Sequence, residues 1–589
     1  MAKDDSIADF LHGYPKLAGI VKHLDKFLAE NHPETFGAKQ KHPFLPAKRS
    51  KVIHDNLWGT VRFTWRELVL IDSPLMQRLR DIHQTGLAFH VYPAARHTRF
   101  EHSLGAVTIA SRIFDALIQR QRNEFRTIAK ALWGKTQDQD STILRLKQEL
   151  RLAALLHDTG HSLYSHTSEL VYEKLGPLVE ASKELSLFLG KEKGAGEVLS
   201  FCFALTPAVH RLLARAEKGG LLGDRASDDY DGPIDFRNVA LIIVGRSVHP
   251  FLQFLGDIVS SAFDADKLDY LLRDATNAGL PLRYDLDRYL YDVRIHKEIL
   301  PDDTGELEKL YKEQLKAPAL SRMPAGTGRR YPYYETYRLR LSRRAMNVIE
   351  QIIICKMMLF SYIYHHPKVR ASDGLLERLL RRRLRAWRTA GESDEKILDR
   401  FLRMTDASLY GEADDKDDEV GKNYRYRLIN RLLPREVYSI SGPSATHAEG
   451  VLIEDFLMDL HDRELRFEII NNLERAIGEE LLKLDSKFAA TAEEAMARAG
   501  VWVDAPKPPK FEDVDEMVMG ATSAAGVPLA QLFPIREWTH AYEHYRYQVR
   551  IFAFSEYYEI TKKAAKAAMQ RILEIASDTF YEGIERERK

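Results

Sequence analysis

At 589 residues the chain is too long for one simple core, and its length allows roughly two to four domains. Lysine plus arginine equals aspartate plus glutamate at 86 each, so no global charge draws the chain to nucleic acid or a membrane surface, and any anion site must come from local placement. Cys202 and Cys355 lie far apart in apolar helical contexts, which argues against a disulfide framework or a zinc knuckle and fits a reducing, cytoplasmic setting.

The N-terminus, MAKDDSIADF, carries acids and no apolar signal core. Residues 1–50 read as one or two short helices and a Pro-punctuated basic connector. From Lys51, KVIHD and GTVRFT alternate apolar and polar residues around Asn56 and Gly59, which predicts a β-hairpin. Asp72-Ser73-Pro74 signals a helix running through LMQRLRDIHQ to near Gly86. Leu104, Val107, Ala110, Phe114 and Leu117 then recur at helical spacing, with His102 at the start of that helix and Arg96, His97 and Arg99 just before it.

Next come a helix ending at His157-Asp158, helices near 163–175, 205–217 and 237–246, and one continuous helix from about Pro250 to Ala278. Residues 283–346 are mixed and increasingly basic. The apolar run Val348 to Tyr364 contains Glu350, Gln351 and Lys356 and reads as a core helix, too short and too polar to cross a bilayer. Arginine-rich helices follow (LLERLLRRRLRAWR), then an acidic loop (GEADDKDDEVGK), a Pro-rich break (DAPKPPKFED) and a long closing helix. No repeat of fixed period occurs. The expectation is an all-α chain with one or two small hairpins, divided into a lead-in (1–50), a core (51–370) and a helical C-terminal region (371–589).

Chemistry concentrates in RLAALLHDTGHSLYSH, Arg151 to His166. An apolar helix delivers His157 and Asp158, and His161, Ser165 and His166 follow at once. Imidazoles beside a carboxylate suit Zn, Fe, Mn or Ni without choosing among them. Four protein ligands are wanted at a metal that also keeps room for water. His102, at a helix start, and Asp266 are the natural additions. At about 100° per residue, Asp266, Lys267, Tyr270 and Asp274 share one arc of a helix, which without a metal would be a solvated face with internal ion pairs.

The set RFEHSLG, LLHDTGHSLYSH and DADKLDYLLRDA, in this order within Lys51 to Lys356, resembles the HD-domain deoxynucleoside triphosphate triphosphohydrolases. That family includes bacterial dGTPases and animal enzymes that pair a sterile-alpha-motif domain with an HD domain. The resemblance implies an HD-domain helical bundle in which His102, His157, Asp158 and Asp266 hold a divalent metal (Mg, Mn, Fe, Ni or Zn). It implies that His161 contacts phosphate and that His166 is the general acid for the departing 5′-oxygen. Arg99, Lys267, Tyr270, Asp274 and Arg338 match positions that hold triphosphate, base or sugar, and Gln84 matches a glutamine at the sugar 3′-hydroxyl. The implied reaction is attack of metal-activated water on the α-phosphate, giving a deoxynucleoside and inorganic triphosphate. Lys51, Asp72 and Arg80 fall where animal members bind a nucleotide activator at a subunit interface, so homo-oligomerisation is implied as well.

Departures stand beside these matches. Gly196 occupies the place of a histidine, with Glu197 retained; Thr85 stands where animal members have leucine against the sugar; His54 replaces an asparagine. Three other readings remain open: an HD nuclease or phosphodiesterase on another substrate, single-stranded nucleic acid included; a non-catalytic nucleotide sensor; and a metalloprotease, since HDTGH superficially mimics H-E-x-x-H. The last suffers because aspartate is shorter than the glutamate base and Gly160 weakens the helix.

Overall fold

The computed structural model describes residues 5–37, 47–134, 138–218, 220–227, 229–301, 309, 311, 322–323, 333–411, 416–440, 463–506, 517–519, 526–546 and 548–587. The chain is mainly helical. The expected hairpin is Ser50–Asp55 (β1) against Gly59–Thr64 (β2), antiparallel with Asp55 opposite Gly59. Asp55 Oδ1 closes its turn by accepting from the backbone N–H groups of Leu57 and Trp58, both at 2.8 Å.

Four elements carry the site: Arg99–Trp133 (α1), Gln139–Leu156 (α2), His166–Tyr172 (α3) and Ala265–Ala278 (α7, two intervening helices being α5, Phe236–Ile243, and α6, Gln253–Val259). Between α3 and α5 lies Ala195–Leu205 (α4). Buried Glu67, just after the hairpin, takes Arg151 of α2 at 2.6 and 2.8 Å and Gln148 at 2.9 Å. This satisfied buried pair fixes α2, and so His157 at its end, against the hairpin. Helix α1 kinks at Gln121, whose side-chain amide bonds the Ile295 carbonyl at 2.7 Å and its N–H at 2.6 Å. The kink has a cause: the amide is captured by a strand edge.

Two helix expectations need correction. The helix from Pro74 is α-helical only over Pro74–Gln77, then 3-10 over Arg78–Asp81. It stops because the backbone of 82–84 pairs instead with 97–99, through Gln84 N–H to His97 O (3.0 Å) and Arg99 N–H to Ile82 O (2.9 Å). The stretch from Pro250 to Ala278 is not continuous either. It breaks between Val259 and Ala265, where Asp264 caps α7 by accepting from the N–H groups of Lys267 and Ser261, each at 2.8 Å.

The mainly helical expectation holds, and strands extend beyond the one or two small hairpins expected. Val293–Pro301 (β3) and Tyr333–Ser342 (β4) pair antiparallel in a five-stranded sheet. Arg435–Ile440, Val549–Ala553 and Trp502–Asp504 form a second, antiparallel sheet in that spatial order. That sheet and the helices Arg463–Leu484, Ala492–Ala499 and Tyr558–Glu587 enclose their own apolar cluster, with Ile440, Leu473, Ile477, Val501, Ile551 and Met569 buried in it.

Arg343–Tyr364 is long and apolar enough, by length and composition alone, to cross a membrane. Val348, Ile349, Ile352, Ile353, Leu359 and Ile363 nevertheless pack into the main core, as in a core helix. In the arginine-rich helix Pro367–Thr389, Arg378, Arg381, Arg382, Arg383, Arg385 and Arg388 each pair with a carboxylate. The basic run is thus spent on internal ion pairs rather than offered to a polyanion.

Candidate active site

His102 comes from the first turn of α1, His157 and Asp158 from the end of α2, and Asp266 from the first turn of α7. The structure brings these four together. His102 Nε2 lies 3.2 Å from His157 Nε2, 3.0 Å from Asp266 Oδ1 and 3.6 Å from Asp158 Oδ2, and His157 Nε2 lies 3.8 Å from Asp266 Oδ1. The donor atoms of His102, His157 and Asp158 all sit within 4.8 Å of one another.

The outer nitrogens decide what the inner ones can do. His102 Nδ1 faces Asp269 Oδ2 at 2.8 Å and His157 Nδ1 faces the Ala154 carbonyl at 2.7 Å. Both partners only accept, so each Nδ1 carries the hydrogen. That leaves two Nε2 lone pairs pointed at each other between two carboxylates, and Asp158 Oδ2 is buried without any hydrogen-bond partner. Such an arrangement repels itself unless a positive charge sits inside it. Burial opposes that charge on His102, but Asp266, Asp269 and Asp158 outweigh it and push the imidazole pKa up to about 10. A divalent cation would supply the same charge. Bonds of about 2.1 Å put neighbouring ligand atoms roughly 3.0 to 3.4 Å apart, near the spacings observed. The residues therefore fit a metal.

One side of the cluster is lined by nitrogen. Arg99 is almost fully buried, pairs with Asp158 Oδ1 at 2.7 Å through Nη1, and donates from Nε to Ser165 Oγ at 2.8 Å. His161 Nε2 lies 3.4 Å from Asp158 Oδ1; burial and Arg99 depress its pKa to about 3, so it is a neutral imidazole. His166, with 76% of its side chain exposed, holds Nδ1 against Glu169 Oε2 at 2.9 Å, and its Nε2 lies 3.5 Å from Arg99 Nη2.

Asp269 and Glu169 were missed by the sequence reading. Asp269, fully buried, also accepts from Trp58 Nε1 at 2.5 Å and from Arg273 Nε at 2.8 Å, and Arg273 reaches back to Asp55 at 2.9 Å. The hairpin thereby anchors the carboxylate that orients His102. Gly105 makes room for it: a Cβ there would collide with Asp269 Oδ1 and Arg273 Nη2. Gly105→Ala is expected to lower the thermal midpoint, at a cost of about 1–3 kcal/mol, and to weaken metal binding; calorimetry and metal titration of the variant check both.

The other expected contacts vary. Lys267 Nζ donates to Asp264 at 2.7 Å and to the Ser261 carbonyl at 2.6 Å, within its own helix cap. Tyr270 is half-buried, and burial raises its hydroxyl pKa. Asp274 is doubly engaged, by His97 Nε2 at 2.7 Å and by the Tyr364 hydroxyl. Arg338, on β4, donates to Asp257 of α6 at 2.8 Å. Gln84 Oε1 and Thr85 Oγ1 are buried with no hydrogen-bond partner among the described residues. Gly196 N–H donates to Glu169 Oε1 at 2.8 Å, and a Cβ at 196 would lie 2.7 Å from His161 Cε1. With His161 placed as it is, position 196 has no room for a side chain. Lys51, Asp72 and Arg80 are exposed; Asp72 follows the C-terminus of the short helix Trp65–Ile71, and Arg80 stacks over Phe100 at 3.6 Å.

A histidine–aspartate pair at one helix end, beside a histidine and an aspartate from two further helices, is the arrangement expected from the resemblance to HD-domain proteins. The comparisons narrow this. The chain is 24% identical over 418 residues to an uncharacterized protein of Methanocaldococcus jannaschii, covering 70% of this chain and 68% of that protein. It is 26% identical over 268 residues to the deoxynucleoside triphosphate triphosphohydrolase SAMHD1 homolog of Dictyostelium discoideum (45% and 44% covered). It is 29% identical over 254 residues to the deoxynucleoside triphosphate triphosphohydrolase SAMHD1 of Bos taurus (42% and 38% covered). The aligned stretches span less than half of these two triphosphohydrolases. No family model matches the chain. A crystal structure of a hypothetical protein from Aquifex aeolicus shares the fold, with a TM-score of 0.52 and 20% identity over 87% of this chain and 99% of that one. Over the stretch that carries the site, the chain is thus similar to proteins named deoxynucleoside triphosphate triphosphohydrolases.

Proposed function

We propose that the protein is a metal-dependent hydrolase that converts deoxynucleoside triphosphates to deoxynucleosides and inorganic triphosphate. The observation that carries it is the pair of opposed Nε2 atoms, 3.2 Å apart between Asp158 and Asp266, with Arg99, His161 and His166 along one side. His102, His157, Asp158 and Asp266 would hold a divalent cation, which when bound would supply a nucleophilic water at neutral pH and Lewis acidity toward phosphate oxygens. Arg99 offsets charge on the phosphate, and neutral His161 donates a hydrogen bond to it. As water adds to the α-phosphorus the bond to the 5′-oxygen breaks, and His166 Nε2 gives that oxygen its proton. Glu169 Oε2 holds the imidazole by Nδ1 at 2.9 Å and so fixes where Nε2 points.

Gln84 Oε1 and Thr85 Oγ1 support a sugar beside the phosphates, since two buried, unpartnered oxygens suit hydroxyl donors. Thr85 leaves a polar place where leucine would exclude a 2′-hydroxyl. Ribonucleotides are therefore expected as substrates too, and Thr85→Leu should raise the dNTP-to-NTP ratio of kcat/KM about tenfold in steady-state assays. The same reading places a nucleotide activator at exposed Lys51, Asp72 and Arg80 in a homo-oligomer, gives the region beyond residue 370 a part in assembly or regulation, and puts the enzyme in the cytoplasm.

The test is a panel of dNTPs and NTPs, singly and mixed, with Mn or Mg, the products resolved and the particle mass measured with and without nucleotide. Release of triphosphate, lost to a chelator and restored by the cation, supports the proposal. Intact nucleotides alongside cleaved DNA or RNA point to a nuclease instead.

A further inference from the structure

Two segments that carry substrate-facing residues, 82–85 and 163–166, meet on a carboxylate belonging to neither. Asp406 opens the short turn Asp406–Leu409, 242 residues along the chain from Tyr164, and is 3% exposed. Its Oδ1 accepts from the Tyr164 N–H at 2.5 Å. Its Oδ2 accepts from the His83 N–H at 2.8 Å and from the His83 ring, and its carbonyl accepts from the Tyr164 hydroxyl at 3.2 Å.

What Asp406 holds is strained. Tyr164 and Ser165 have φ of +48° and +57°, and Ser165 has ψ of −123°, conformations that non-glycine residues keep only where their surroundings impose them. Ser165 Oγ adds a second tie, donating to the His83 carbonyl at 2.6 Å and accepting from Arg99 Nε at 2.8 Å. The residue after this turn is His166, and the residue after His83 is Gln84.

We propose that Asp406 is a positioning residue: it clamps the Tyr164–Ser165 turn to the His83–Gln84 segment, so that His166 and Gln84 address one substrate. Its catalytic consequence rests on the triphosphohydrolase reading, whereas the clamp stands on geometry alone. Ser162 Oγ, donating to the Phe401 carbonyl at 2.5 Å, binds the same arm of chain to the same turn. The part of the chain beyond residue 370 thus reaches into the site. Asparagine at 406 keeps the shape but offers one acceptor oxygen where two are used, and turns its amide toward an N–H donor.

The test compares full-length Asp406→Asn with Ser393→Ala, which removes the cap of the helix Asp394–Arg403 in the same arm and touches neither segment. Asp406→Asn should lower kcat about ten- to a hundredfold, with KM within about threefold of wild type, while Ser393→Ala keeps its kcat. Amides of 82–85 and 163–167 should exchange faster in Asp406→Asn and not in Ser393→Ala. A kcat within about twofold of wild type in Asp406→Asn, or an equal loss in Ser393→Ala, overturns the proposal. If the wild-type chain releases no triphosphate, the functional reading falls and exchange alone decides. Faster exchange in both segments then supports the clamp, and unchanged exchange overturns it.

Discussion

Asp158→Ala should abolish triphosphate release and strip the protein of metal, and it should also destabilise the fold. The two losses have different origins. On the proposed reading Asp158 would be one of the carboxylates holding the cation, and its removal would take away transition-state charge stabilisation of several kcal/mol, about a thousandfold or more in turnover. It also takes the partner from Arg99, a guanidinium 2% exposed and paired with Asp158 Oδ1 at 2.7 Å. Breaking a buried pair on one side costs about 3–5 kcal/mol, because the remaining charge is left uncompensated. Asp266→Ala separates the effects. Asp266 is one-third exposed by side chain and contacts only imidazoles among the cluster's cations, at 3.0 and 3.8 Å, so no arginine is orphaned. It should lose metal and turnover as fully as Asp158→Ala while its thermal midpoint falls far less. Metal content by mass spectrometry, turnover and calorimetry on both variants make the comparison. A loaded, active Asp266→Ala protein would remove that residue from the ligand set.

The centre of this site could be read from the sequence because its parts sit where sequence patterns are loudest. His157-Asp158 interrupts an apolar helical run, His102 opens an amphipathic one, and Asp266 belongs to a charged stripe. Glu169 was legible in principle, since His166-x-x-Glu169 is a one-turn spacing that puts both side chains on one helix face. Asp269 was concealed by Arg273, four residues on, which makes it look like half of an ordinary surface pair; only the packed structure shows both fully buried against His102 and Trp58. Asp406 carries no local signal at all, because its meaning lies in partners at positions 83 and 164. The break before α7 was readable: Asp264 stands three residues before Lys267 as a cap, outweighed by the apolar residues on either side. The strands after residue 434 were not, being short and set among helices of similar apolar content. Gly196, which looks in the sequence like a lost histidine, turns out to be filled by the ring of His161.

His166→Ala should remove turnover while leaving metal and fold intact, the reverse of what Asp158→Ala does. His166 projects from the N-terminus of α3 with 76% of its side chain exposed, its Nδ1 against Glu169 at 2.9 Å and its Nε2 3.5 Å from Arg99 Nη2. Truncation takes one partner from Glu169, which keeps the Gly196 N–H at 2.8 Å, so the cost to stability should be about 1 kcal/mol, well below that of Asp158→Ala. Its catalytic part is larger: a positioned general acid contributes about 100- to 10,000-fold. A loss of kcat alone would still fit mere crowding of the phosphate side. The distinguishing substrate is a phosphoester with an aryl leaving group, which departs without a proton. Against such a substrate His166→Ala should recover most of the wild-type rate, whereas Asp158→Ala and Asp266→Ala should remain inactive, since they damage the attack and not the departure. Glu169→Gln should fall between, because glutamine has one acceptor oxygen where Glu169 uses two, for the His166 ring and the Gly196 N–H, so the imidazole is held less firmly. Full activity of His166→Ala on deoxynucleotides would move the acid role elsewhere.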